Sequence, residues 1–301
     1  MPNVYMLIGL PGSGKSTCAN EIIKYNDNIK IFSSDEYREK LTGDVNNQTS
    51  NNKIFNILYS DLIEHVKLGG DAIYDATNIS RKSRKEVIKR LNDLHISDLK
   101  IYAKVIILPI EECIKRNNNR ERVVPEEVIY NMACKFELPL LNEGFSDIEY
   151  RYNCTVNDFY DPVEEFLKMR DFNQDNPNHS KNLDIHCFQS FMYLLDKTSN
   201  KNLQAAALFH DIGKVFVAKY NAEKGYTQYI GHENYGAYRC LTTKFPDYII
   251  PVSVALYVNY HMELFKLNDA KENTIIKHKS LFKDGFWNNL KLLREADLNN
   301  H

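Results

Sequence analysis

Apolar residues follow two rhythms along this chain. In the first half, short apolar runs at 3–8, 29–32, 72–74 and 101–108 alternate with stretches of helical spacing at 15–24, 53–68, 80–94 and 110–116. Strands alternating with helices predict an α/β domain, a parallel sheet flanked by helices. The polar stretch 43–52 reads as a flexible loop. From about residue 160 the apolar positions recur at helical spacing in 162–170, 183–197, 203–211, 233–244, 248–262 and 285–298, which predicts an all-α second half. The boundary is expected between Asn153 and Asn178, where Asp161-Pro162 and the polar run 173–178 offer turns. This gives domains at 1–160 and 161–301.

Composition narrows the class. A length of 301 residues is enough for two cores. No apolar run approaches the ~20 residues of a membrane span, and the opening MPNVYMLIG lacks the pattern of a signal peptide. A cytoplasmic protein with no membrane partner is expected. The six cysteines are widely separated and form no C-x-x-C pair, so reduced thiols are expected rather than a disulfide or zinc scaffold. The formal net charge is -2, and bulk charge predicts no nucleic-acid partner. A polyanion would have to be held by local clusters, the clearest being Arg81-Lys82-Ser83-Arg84-Lys85 and the run from Arg116 to Arg122.

Gly9-Leu10-Pro11-Gly12-Ser13-Gly14-Lys15-Ser16 fits G-x-x-x-x-G-K-[ST] after a predicted strand and at the start of a predicted helix. Such a turn aims main-chain amides and a helix N-terminus at phosphate oxygens. Gly12, Ser13, Gly14, Lys15, Ser16 and Thr17 are the expected nucleotide-binding set, with Lys15 on the β/γ phosphates and Ser16 on Mg²⁺. ATP or another nucleoside triphosphate is the expected cofactor. Asp35 follows the second strand, where open α/β sheets bind ligands. It can take a proton from an attacking hydroxyl, or it can cap the next helix. Asp75-Ala76-Thr77-Asn78 ends the third strand, placing Asp75 near Mg²⁺ or the acceptor, with Thr77 or Asn78 capping. Arg116 and Arg120 follow the fourth strand, either over the phosphates or on a solvated basic face.

These pieces resemble the bacteriophage-type polynucleotide 5′-kinases over roughly residues 1–153. The resemblance rests on the phosphate loop, Asp35 with Arg38, the D-x-T-N of Asp75 to Asn78, and the R-N-x-x-R…V-P lid from Arg116 to Pro125. It implies that Asp35 is the general base for a 5′-hydroxyl, that Arg38 contacts the acceptor phosphate, and that Arg116 and Arg120 contact the ATP phosphates. P-loop kinases of small metabolites share the loop and lid. Only the pairing of Asp35 and Arg38 points to a nucleic-acid end.

The second half carries His186, the adjacent pair His210-Asp211, His232, His261 and Asp297 in a helical setting. Imidazole and carboxylate together suit divalent metals such as Mn, Co, Ni, Fe or Zn. The set resembles the HD phosphohydrolase superfamily over roughly residues 175–301, with HDIGK and GHENYGA as its specific forms. That resemblance implies one or two metals acting on a phosphate ester. His186, His210, Asp211 and Asp297 would hold the first and Asp211, His232 and His261 a second, with Lys214 on a phosphate oxygen. His186 is preferred over His179 as a ligand because its helix has an apolar face.

Together the halves resemble bifunctional polynucleotide kinase–HD phosphatases. The implied activity is end healing: ATP-dependent phosphorylation of 5′-OH ends, and metal-dependent removal of 2′,3′-cyclic, 2′- or 3′-phosphate. RNA or DNA ends would be the substrate and a nucleic-acid ligase the natural partner, with the oligomeric state left open. Two other readings stand beside it: a nucleoside or nucleotide kinase fused to a nucleotidase, and a nucleotide-binding sensor without catalysis.

Overall fold

Runs such as Met6-Leu7-Ile8 and Val105-Ile106-Ile107 are buried on both faces, the condition under which strands pair in parallel with helices covering each side. A computed structural model describes residues 1–26, 28–44, 51–177 and 181–299. The chain divides into two compact units, Met1–Val124 with Pro139–Asn153 and Pro125–Leu138 with Cys154–His301.

The first unit holds β1 (Asn3–Ile8), α1 (Lys15–Ile23), β2 (Ile29–Ser33), α2 (Ser34–Thr42), α3 (Asn51–Lys67), β3 (Asp71–Asp75), α4 (Arg81–Asn92), β4 (Lys100–Ile107), α5 (Ile110–Asn118) and β5 (Asp147–Tyr152). The strands form one parallel sheet in the order β2-β3-β1-β4-β5. Helix α1 packs on it through Cys18 and Ala19, which meet Leu7, Ile73 and Ile106. Register places Leu7 of β1 and Ser33 of β2 both opposite Asp75 of β3. The phosphate loop, the turn into α2 and the segment after Asp75 therefore leave the sheet at its carboxyl end.

The second unit holds α6 (Glu126–Ala133), α7 (Pro162–Leu167), α8 (Leu183–Leu195), α9 (Lys201–Phe209), α10 (Lys214–Val217), β6 (Lys219–Asn221), β7 (Tyr226–Gln228), α11 (His232–Leu241), α12 (Pro251–Tyr260), α13 (Glu263–Lys266), α14 (Glu272–Lys279) and α15 (Asp284–Leu298). No helix among the described residues is long and apolar enough to cross a membrane. The six cysteines are free thiols.

Three features depart from the sequence reading. The second unit is not purely helical: β6 and β7 pair as an antiparallel hairpin, whose turn is set by Asn221 Oδ1 accepting from the Glu223 and Lys224 amides at 3.0 and 3.1 Å. Residues 125–138, read as part of the first domain, pack in the second unit. There Asn259 accepts from the Leu138 amide at 2.8 Å and donates to the Phe136 carbonyl at 3.0 Å, and Phe136 and Leu138 are fully buried. In the stretch 43–52 read as a loop, residues 45–50 lie outside the described residues, and Asn51 and Asn52 already begin α3.

Arg84 drops out of the basic cluster 81–85 that was read as a local polyanion site. It lies on the buried face of α4 with Val87, Ile88 and Leu91. Its guanidinium forks onto Glu143, Nε to Oε2 at 2.8 Å and Nη2 to Oε1 at 2.7 Å, with both side chains out of solvent. Removing one partner of such a pair strands the other charge. Glu143→Ala should therefore destabilise the first unit by about 3–5 kcal/mol, while Arg84→Met with Glu143→Leu should recover most of the loss. Urea unfolding followed by circular dichroism measures both; equal unfolding of Glu143→Ala and the parent would rule the argument out.

Candidate functional site

In the first unit the loop after β1 is shaped by two positions where a side chain has no room. Gly12 has φ 84°, and a Cβ there would lie 2.1 Å from the Cys113 carbonyl oxygen; Gly14 has φ 101°, and its Cβ would meet Asn153 Nδ2 at 2.1 Å. Asn153 Nδ2 donates to the Ser13 carbonyl at 2.9 Å, and Gly9 N donates to Thr77 O at 3.1 Å, so the loop is braced from β5 and β3. Gly14 caps α1 in the left-handed conformation. Lys15, Ser16 and Thr17 then open the helix, the latter two exposed. Lys15 Nζ donates to the carbonyls of Gly9 and Leu10 at 3.1 and 3.0 Å.

Charge around the loop is tightly shared. Burial pulls the Lys15 ammonium down from its ordinary pKa, with Asp75 opposing and Arg120 adding to the fall. Burial also pushes the Asp75 carboxyl up, against the pull of Lys15 and with reinforcement from Asp35. Lys15, Asp75, Asp35 and Arg120 thus lie within one field.

Asp35 does not cap α2. The cap is Ser33, and Asp35 stands in the first turn between two arginines: Arg38 Nη1 lies 2.8 Å from Oδ1, and Arg122 Nη1 lies 2.6 Å from Oδ2. Arg38 is buried, whereas the Asp35 side chain is 57% exposed. The Asp35 carboxylate is thus ion-paired yet open to solvent. Of the lid arginines, Arg120 is exposed near Lys15, while Arg116 Nη2 donates to the Asn153 carbonyl at 3.1 Å, which makes it a brace on the residue that holds the loop. Neither Thr77 nor Asn78 caps α4. Ser80 does, accepting from the Ser83 amide, and Asn78 donates to the Leu7 carbonyl at 2.8 Å. The sequence reading gave Arg122 and Asn153 no role; the basic run from 116 to 122 was the only signal for the first, and nothing local marks the second.

In the second unit the histidines and aspartates converge. His186 comes from α8, His210 caps the end of α9 and Asp211 follows it, His232 opens α11, His261 ends α12, and Asp297 comes from α15. All are buried. Asp211 divides its oxygens. Oδ2 lies 3.7 Å from His186 Nε2 and 3.4 Å from His210 Nε2, while Oδ1 lies 3.1 Å from His232 Nε2 and 3.7 Å from His261 Nε2. Asp297 Oδ1 stands 3.2 Å from His186 Nε2. Two donor groups result, His186-His210-Asp211 and Asp211-His232-His261, with Asp297 beside the first. His179 lies outside the described residues.

The hydrogen bonds behind the rings bear on whether these donors fit a cation. His210, His232 and His261 each point Nδ1 at the carbonyl three residues earlier, at 2.8, 2.8 and 2.7 Å. A neutral ring held that way keeps its proton on Nδ1 and presents a lone pair from Nε2. Those Nε2 atoms face other acceptors: His210 Nε2 is 3.1 Å from His186 Nε2, and His232 Nε2 is 3.4 Å from His261 Nε2. Donors bonded to one ion at about 2.1 Å stand roughly 3.0–3.4 Å apart at octahedral or tetrahedral angles. The spacings and the donor chemistry fit divalent metal.

The protonation of the cluster agrees with a demand for positive charge. Burial opposes ionisation of Asp211, yet Lys214, His210 and His232 outweigh it and hold the carboxyl well below its usual range. Asp297 is likewise held low, burial being overcome by hydrogen bonds from His186 and His210. Burial would lower His210, but Asp211, Cys187 and Asp297 together outweigh it and raise the group well above an ordinary imidazole. Burial and the neighbouring His232 and His210 bring His261 down to about 4. Lys214 Nζ lies 2.7 Å from Asp211 Oδ2 and donates to Gln174 Oε1 at 2.8 Å. Gln174 was missed, because it sits in the polar run read only as a turn.

Residues 4–139 match the family model described as an AAA domain. A curated relative, Transcription factor bHLH140 of Arabidopsis thaliana, is 30% identical over 158 residues, which make up 50% of this chain and 16% of that protein. The matched stretch is thus a small part of the relative's length. A solved Pnkp1/Rnl/Hen1 complex is 32% identical over 38% of this chain and 38% of that one, with a TM-score of 0.35. A fungal RNA kinase is 16% identical, covering 50% of this chain and 74% of that one, with a TM-score of 0.35. The first unit is a P-loop domain with a parallel sheet.

Because Asp211 serves both donor groups, Asp211→Ala should abolish binding of divalent metal, whereas His232→Ala should spare the group around His186. Metal content after loading with Mn²⁺, Co²⁺, Ni²⁺ or Zn²⁺ and desalting reads this directly. Equal metal in Asp211→Ala and the parent would refute a cation site here.

Proposed function

We propose that this chain is an end-healing enzyme with two active sites, a polynucleotide 5′-hydroxyl kinase in the first unit and a metal-dependent phosphohydrolase of the HD type in the second. The observation that carries the reading is Asp35, bracketed by Arg38 and Arg122 at the same end of the sheet as the phosphate loop. An acceptor base beside a triphosphate cradle is what transfer to a hydroxyl requires.

In this mechanism the loop amides and Lys15 hold the β/γ phosphates of ATP, and Ser16 and Asp75 are the groups suited to Mg²⁺, which neutralises phosphate charge when bound. Asp35 accepts the proton of the 5′-hydroxyl as its oxygen bonds to the γ-phosphorus, and the bond to the ADP oxygen breaks. Arg120 and Lys15 stabilise the charge that builds on the transferred group. Arg38 and Arg122 hold the Asp35 carboxylate and offer guanidinium groups to an acceptor phosphate. In the second unit, His186, His210, Asp211 and Asp297 would hold one metal and Asp211, His232 and His261 another, supplying charge neutralisation and water activation. Lys214, fixed by Gln174, is suited to a phosphate oxygen of a 2′,3′-cyclic, 2′- or 3′-phosphate end. The products, 5′-phosphate and 3′-hydroxyl, are the ends a nucleic-acid ligase joins.

The test is an RNA bearing 5′-OH and 2′,3′-cyclic phosphate ends, incubated with ATP and divalent metals while both ends are read. Asp35→Ala should lower 5′ phosphorylation by about 10²–10⁴-fold and leave dephosphorylation intact, and Asp211→Ala should do the reverse. Turnover of mononucleosides but not of any 5′-OH oligonucleotide would favour a nucleoside kinase instead. Nucleotide binding with no transfer at all would favour a sensor.

A further inference from the structure

The first unit contains a cleft of about 500 Å³ that the kinase machinery above does not use. Its floor runs from Tyr74 through Ala76, Thr77 and Asn78, so it flanks Asp75, and Thr77 is the residue whose carbonyl accepts from Gly9 of the phosphate loop. One wall is a single face of α3, where Asn52, Phe55, Asn56 and Tyr59 recur at helical spacing. The other is the face of α4 that presents Ser83, Glu86 and Arg90.

The lining suits a flat aromatic ligand with polar edges. Phe55 is half-buried and stands 5.8 Å from Tyr59, which in turn stands 6.0 Å from Tyr74. The Arg90 guanidinium lies over the Tyr59 ring at 4.9 Å and is held there by Glu86 at 2.7 Å. The exposed Asn52 and Asn56 carry amide donors and acceptors at the rim. A volume near 500 Å³ is within the range for small-molecule sites, and aromatic platforms with asparagine edges accept nucleobases without strong preference among them.

Beside that wall, the next stripe of α4 carries Lys82, Lys85 and Lys89, all exposed and with no ion pair among the described residues. They are the lysines of the basic cluster and its continuation, left over once Arg84 is assigned to the core. Three ammonium groups along one helix face beside a base-sized cleft have the layout of a single-strand track, with stacking platform and phosphate rail side by side.

We propose that this cleft takes the nucleobase at the 5′ end of the acceptor, and that Lys82, Lys85 and Lys89 hold phosphates of the nucleotides that follow. This deepens the kinase reading and rests on it, since it makes the acceptor a polynucleotide strand rather than a free nucleoside.

Three proteins decide it: Phe55→Ala, Phe55→Trp and the triple variant Lys82→Ala/Lys85→Ala/Lys89→Ala. Each is assayed for phosphorylation of a nucleoside 3′-monophosphate and of a 5′-OH dodecanucleotide, and for binding of the fluorescent dodecanucleotide without ATP. Phe55→Ala should raise KM for both acceptors by about fivefold or more, with kcat and the KM for ATP little changed, and Phe55→Trp should restore it. The triple variant should raise KM for the dodecanucleotide alone and reduce the slope of log KM against log salt by about two, near 0.7 per phosphate contact. Unchanged acceptor KM and unchanged oligonucleotide binding in Phe55→Ala would overturn the subsite while leaving the kinase reading standing. If the parent transfers no phosphate yet binds the dodecanucleotide, and Phe55→Ala does not, the subsite stands and the kinase reading falls. A triple variant equal to the parent on the long acceptor would overturn the lysine track.

Discussion

A charge taken out of water must be met by an opposite charge or by hydrogen bonds, and both units are arranged around that requirement. Each carries one arginine–glutamate fork in its interior, Arg84 with Glu143 and Arg239 with Glu165. The second is covered by aromatic rings, with Arg239 over Tyr160 at 3.9 Å and over Phe216 at 4.2 Å. In these forks every charge has its partner within the protein. The His–Asp cluster is different. There Lys214 pairs with Asp211, but Asp297 faces the imidazoles of His186 and His210, so the positive charge it requires has to come from a proton or a cation. That separates the cluster from a structural ion pair, and at His210, His232 and His261 it is visible in the direction Nδ1 points.

The phosphate loop poses the opposite problem, since a polyanion would have to be held there with few full charges. Main-chain amides are the groups suited to it, and they can serve only if the loop keeps its shape. The shape depends on Gly12 and Gly14, on Asn153 holding the Ser13 carbonyl, and on Arg116 holding Asn153. Arg116 then acts through the backbone, while Arg120 contributes directly to the field at Lys15. Two arginines from one basic run thus stand at the loop in different ways, one bracing its backbone and the other exposed in the field of Lys15. The common register of β1, β2 and β3 brings Asp75, the last residue of β3, and Asp35, in the first turn of α2, to the carboxyl end of the sheet.

What could be read in advance was what lies close together in sequence. The phosphate loop sits between a strand and a helix that its own apolar spacing identifies, and the pair His210-Asp211 ends a helix rich in alanine. The strands β1 to β4 were legible as apolar runs. The strand β5 was not, because DIEYRY is only half-buried and carries three charges. Arg122, Gln174 and Asn153 were missed for a shared reason: each acquires its partner from a distant segment, Asp35, Lys214 and Ser13 respectively. Nothing in the local sequence distinguishes Arg122 from Arg120. The membership of residues 125–138 in the second unit was hidden in the same way, since it is fixed by Asn259 from much further along the chain.

The run Arg81 to Lys85 shows where that limit falls. Read as composition it is one basic cluster, but the helical period separates it. Arg84 shares its stripe with Val87, Ile88 and Leu91, so a cation stands at a position that periodicity assigns to the core. Such a residue must either extend its charge to the surface or find a buried counter-charge. The need for a partner was therefore legible from the sequence, while its identity, Glu143, was not. Lys82 and Lys85, two and one steps off that stripe, escape the constraint and keep their charge in water. The same five residues thus contain a buried cation and exposed lysines, and only the phase of the helix tells them apart.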